Sequence, residues 1–109
     1  MINDFEINKN GIIVYLDNKK SRRKTTIIDQ KTLNLLLKRS CKLYIGDQDG
    51  YVFVYFKDTK KKIRLHRWIM NCPDNLVVDH INCLKRDNRK ENLQIITREE
   101  NSKLIKRRA

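Results

Sequence analysis

The residues best suited to chemistry crowd into one stretch, Asp79 to Asn101. It places an imidazole, His80, beside a carboxylate, Asp79, with two amides, Asn92 and Asn101, in a setting dense with Lys and Arg. Phosphodiester hydrolysis needs these groups. Water is a poor nucleophile at neutral pH, and an imidazole is the side chain whose ordinary pKa best matches removing its proton. A divalent cation must offset the charge that builds on the phosphorane and the departing oxygen. Hard oxygens from Asp79 and Asn101 suit Mg²⁺ or Mn²⁺ better than Zn²⁺, and two protein oxygens leave most of the coordination shell to water and phosphate.

Three elements must position these groups. Leu76-Val77-Val78 is a strand signal ending at Asp79-His80, and Leu93-Gln94-Ile95-Ile96 is a second one beyond a polar loop. Thr97-Arg98-Glu99-Glu100 has the T-x-x-E pattern of a capping box, so a helix begins there and carries Asn101 in or near its first turn. The order over 76–107 is strand, loop, strand, helix. One constraint follows, because neighbouring strand residues point to opposite faces. Asp79 and His80 serve one site only if the strand ends or bulges there.

Upstream, Ile12 to Leu16 reads as a strand after the turn pair Asn10-Gly11, and 17–24 as a basic loop, solvated or lying along phosphates. Asp29 is placed to cap a helix near 30–39 whose Leu33, Leu36 and Leu37 share one face. Tyr51 to Phe56 is a strand with two apolar faces, and Lys61 to Arg64 completes a hairpin with it. Tyr51, Phe53 and Tyr55 share one face, read as core packing in preference to base stacking. Leu65, Trp68 and Ile69 mark a short helix stopping before Pro73. His66 lies off its apolar face and is read as making a helix-start hydrogen bond, with a contact to the site or a phosphate as the alternative. The expectation is an α+β chain forming a single domain over 1–109. A strand-rich front half, 1–64, precedes a compact appendix, 65–109, on one shared core.

Charge narrows the partners. Lys and Arg number 25 against 13 Asp and Glu, a formal charge of +12, so a polyanion is favoured. No segment approaches the roughly 20 apolar residues that span a bilayer, and the first residues carry no apolar signal region. The expected setting is cytoplasmic. Cys41, Cys72 and Cys83 form no C-x-x-C pair, which argues against a disulfide framework or a zinc ribbon; Cys72 and Cys83 are read as small packing residues.

The stretch resembles the HNH endonucleases, also called His-Me finger or ββα-metal nucleases. The matching residues are Val78-Asp79-His80-Ile81-Asn82, Asp87 to Leu93 and Thr97 to Asn101, with Leu65-His66-Arg67-Trp68 similar to an upstream segment of the family. They look most like the phage and intron-encoded branch, with Asn at the third motif position. The resemblance implies that His80 is the general base, that Asp79 and Asn101 hold one metal ion, and that Asn92 fixes the loop that aims His80. Asn88 competes for that middle role; Asn92 is preferred because it enters the second strand directly, leaving Asn88 to support a turn. The family's helix lies against the minor groove of double-stranded DNA. Arg86, Arg89, Lys90, Arg98 and Lys103 are the candidate DNA contacts, and His66 a possible secondary site residue. One site cuts one strand, so a monomer nicks, and a double-strand break needs a homodimer or two successive events. The rival reading is a DNA-binding module of the same fold without catalysis.

Overall fold

A computed structural model describes residues 1–16, 24–46 and 49–108, with the side chains of 106–108 outside that description. The basic loop at 17–24 falls almost wholly outside it, as do residues 47 and 48. The fold is α+β, with a strand-rich N-terminal region.

The first sheet is antiparallel, with strands β1 (Phe5–Asn8), β2 (Gly11–Tyr15) and β3 (Thr25–Ile28) in that order. Asn10-Gly11 closes its first hairpin, the Asn10 amide donating to Asn8 Oδ1 at 3.0 Å. Gly11 sits at φ +148°, and a Cβ there would lie 2.9 Å from the Ile28 carbonyl oxygen. Alternation along β2 and β3 sends Ile12, Val14, Thr26 and Ile28 inward.

Helix α1 (Gln30–Leu37) packs Thr32, Leu33 and Leu36 on that sheet. Leu37 is half exposed, so the apolar face is centred one residue earlier than the leucine spacing implies. Nor does Asp29 cap the helix through its side chain. Its carboxylate instead accepts the Lys90 amide at 2.8 Å, across the molecule.

The second sheet runs β4 (Cys41–Ile45), β5 (Val52–Phe56), β6 (Lys61–Arg64), again antiparallel. Val52, Val54 and Phe56 supply its inner face, and burial of each such side chain contributes about 1.5–3 kcal/mol. The face holding Tyr51, Phe53 and Tyr55 is the outer one, contrary to the core assignment above. β5 can offer only one face to the core, and Val52, Val54 and Phe56 fill it.

Helix α2 (Leu65–Met70) follows β6 directly and ends at Asn71, whose left-handed φ of 48° breaks it before Pro73. A two-stranded hairpin, β7 (Val77–His80) with β8 (Leu93–Ile96), and helix α3 (Arg98–Arg108) complete the chain. The main core is drawn from Ile12 through Leu65, with Trp68 and Ile69 packed on it. The hairpin buries Val78 and Leu93 outside that cluster. It is less an appendix to the core than a piece stitched to β3. The Ile27 amide donates to the Arg86 carbonyl at 3.0 Å, and the Asn88 amide to the Ile27 carbonyl at 2.9 Å. These bonds form a parallel bridge between Ile27 and Asp87.

Candidate active site

His80 ends β7, buried except for 5% of its surface, and its Nε2 lies 2.9 Å from Asn88 Oδ1. Asn88 is itself buried, and its amide nitrogen donates to Thr26 Oγ1 at 2.9 Å. With that nitrogen engaged, only the oxygen faces His80, so Nε2 donates to it and, in the neutral ring, the lone pair lies on Nδ1. A lone pair on Nδ1 is what a general base requires.

Asn92 does not touch His80 in this arrangement. Its Oδ1 accepts the Asn82 amide at 2.9 Å, and its Nδ2 donates to Asn82 Oδ1 and to the Asp87 carbonyl, both at 2.9 Å. It staples the two ends of the loop between the strands. Within the loop, Asn82 Oδ1 accepts the Leu84 amide, Cys83 turns the backbone at φ 66°, and Asn82 donates to Asp87 Oδ2 at 2.8 Å. Asp87 is clamped in two places by Arg89, Nε to Oδ1 at 2.9 Å and Nη2 to Oδ2 at 2.8 Å. The Arg89 guanidinium holds the Asp87 carboxyl below its usual range, with the Asn82 bond helping and burial opposing.

The β7–β8 ladder runs in unbroken register through Asp79↔Gln94 and His80↔Leu93. There is no bulge, and the strand simply ends at His80. Asp79 meets its cross-strand partner, Gln94 Nε2 donating to its Oδ2 at 2.8 Å. Even so, Asp79 and His80 border the same cleft of about 720 Å³ with Asn101. Asn101 reaches it from the first turn of α3, which the capping box sets: the Thr97 amide donates to Glu100 Oε1 at 3.1 Å and the Glu100 amide to Thr97 Oγ1 at 3.0 Å.

The cleft wall opposite is aromatic. The His66 ring lies 5.1 Å from His80 and edge-on to Tyr51 at 5.2 Å. Its Nδ1 is buried with no hydrogen-bond partner, so the expected helix-start bond is not made. Burial, then the nearby His80, Arg64 and Arg67, push its pKa down to about 3. His66 is therefore neutral at any working pH. Two oxygen donors, Asp79 and Asn101, meet at the cleft, and among the described residues no group of three or more His, Cys, Asp or Glu gathers to hold a metal.

Residues 64–103 match the family model of the HNH endonucleases. The family resemblance of the motifs is thereby borne out over the segment that builds the cleft, and it points to hydrolytic nuclease activity on DNA. No curated protein and no solved structure gives a significant match to the chain.

Within the HNH segment, the candidate DNA contacts are distributed unevenly. Arg98 borders the cleft. Arg89 is engaged with Asp87 and Glu91. The Lys90 amide is tied to Asp29, and the backbone carbonyl of Arg86 to β3, while their side chains are exposed away from the cleft lining. Lys103 is exposed beside Glu99 at 3.9 Å. Lys85, which the sequence places in the basic site loop, borders the cleft, as do Arg64, which sequence spacing missed, and Tyr51, which it read as core. Arg64 and Lys85 each lie 4.7 Å from the Tyr51 ring centre, in cation–π contact. For Arg64 the sequence signal was the basic character of its neighbourhood. Cys83 also borders the cleft and is exposed, so it is not a packing residue.

Proposed function

We propose that the chain is a metal-dependent DNA endonuclease in which His80 activates the attacking water. The observation that carries this reading is the His80–Asn88 bond at 2.9 Å, which leaves the other ring nitrogen as a proton acceptor beside Asp79 and Asn101. His80 Nδ1 takes a proton from water as its oxygen attacks phosphorus, and the bond from phosphorus to the departing sugar oxygen breaks.

The donor chemistry at the cleft fits a hard divalent cation such as Mg²⁺ or Mn²⁺. Asp79 supplies a carboxylate oxygen and Asn101 an amide oxygen. When bound, the cation supplies Lewis-acid stabilisation of the charge on the phosphate and the departing oxygen. Gln94 orients Asp79, and the Thr97 cap orients the turn that presents Asn101. Arg64, Lys85 and Arg98 neutralise phosphates flanking the scissile bond, while Asn92 and Asp87 keep the loop in shape. One such cleft acts on one strand, so the monomer nicks double-stranded DNA and paired cuts come from a dimer. The front half and the HNH segment act as one domain.

Supercoiled plasmid incubated with and without Mg²⁺ tests this reading. The unaltered chain converts it to nicked circles only with the metal, and His80→Ala lowers the rate about 10²–10⁴-fold while retaining DNA binding. Binding without metal-dependent cutting by the unaltered chain would establish the non-catalytic rival instead.

A further inference from the structure

We infer that Thr26, on β3 in the front half, is a positioning residue that fixes which nitrogen of His80 carries the proton. This role rests on the proposed role of His80, and the relay starts at a group with no choice. The Arg86 carbonyl can only accept, so Thr26 Oγ1, 2.8 Å away, donates its hydrogen there. The hydroxyl is then left with lone pairs alone toward Asn88, and the Asn88 atom 2.9 Å away is its amide nitrogen. That orientation turns the amide oxygen to His80 Nε2 at 2.9 Å. Each bond dictates the polarity of the next, from a backbone carbonyl to the imidazole.

The relay is sealed. Thr26 is 1% exposed, Asn88 1% and His80 5%, so water cannot substitute for a missing partner. Without the hydroxyl, Asn88 Nδ2 keeps only a long contact to the Lys85 carbonyl, at 3.5 Å. A half-turn of the amide then presents nitrogen to His80, which answers by carrying its proton on Nδ1. In that form the base is blocked. The Arg86 carbonyl still accepts the Ile27 amide, so the stitching of loop to sheet survives the loss of the hydroxyl.

The test reads the imidazole directly. Nitrogen-15 spectra of the unaltered protein above the titration range should show His80 with its proton on Nε2; a proton on Nδ1 there would overturn the inference without any variant. Thr26→Val should move the pattern toward Nδ1–H and lower kcat at least about tenfold with little change in KM. Thr26→Ser should restore both. If Thr26→Val does not fold, Thr26→Ala carries the same expectation. An unchanged His80 pattern and kcat in a folded hydroxyl-less variant would remove Thr26 from the relay. A fully active His80→Ala would instead overturn the proposed base, and the spectra would still decide what Thr26 does.

Discussion

Asn88 and Asn92 are four residues apart in the chain, and their surroundings give them different tasks. Asn92→Ala strips three bonds from the loop and leaves the buried Asp87 carbonyl short of a donor. A loss of about 1–3 kcal/mol in stability is expected, read as a lower urea midpoint. Asn88→Ala should instead show its larger effect in kcat, through His80. The sequence ranks Asn92 first because it enters β8 directly, whereas the contact to His80 is made by Asn88; what separates them is Thr26, more than sixty residues away. His66 makes a second residue-level prediction. Its pKa of about 3 lies below the ordinary value of 6.5, so below pH 6.5 the unfolded chain binds a proton that the folded chain refuses. Stability is thus undiminished above pH 6.5 and falls as pH drops toward 3. Between pH 7.5 and 5 the loss is about 2 kcal/mol. Urea midpoints of the unaltered chain and of His66→Phe at the two pH values check it: the variant should lose that part of the slope.

At the scale of elements, β7, β8 and α3 were legible because each is written locally: a β-branched run, a second one, and a capping box between it and the helix. Thr97→Ala should lower stability by about 1 kcal/mol and loosen the turn carrying Asn101, visible in the urea midpoint and in weaker metal-dependent cutting. The strands that escaped notice carry no such local mark. β1 is exposed at every position, so it has no alternation to detect. β3 follows a charged run and is short. β4 shows its inward set only once β5 lies beside it. The aromatic face of β5 was misassigned because apolar content on both faces does not say which one the core takes. Tyr51, just before β5, ends up beside His66 and His80, where Arg64 and Lys85 flank it.

For the whole molecule, the +12 charge pointed correctly toward a polyanion while saying nothing of where the phosphates run. In the proposed function that task falls to Arg64, Lys85 and Arg98, which line the cleft from both halves of the chain. Removing Lys85 should make the slope of log K against log salt shallower by about 0.9, as a titration of DNA binding would show. A fragment of residues 64–109 should lack a cooperative unfolding transition, since the main core lies almost wholly before it. The bond joining Asn88 to Thr26 also spans 62 residues, and that separation bears on timing. Contacts so distant in sequence close late, after the entropy of a long loop has been overcome. A chain in which the first sheet and the last hairpin have not yet packed therefore carries every motif residue in the right order without the Asn88–Thr26 bond. Under the proposed function, His80 is set as a base only when the first sheet has met the last hairpin.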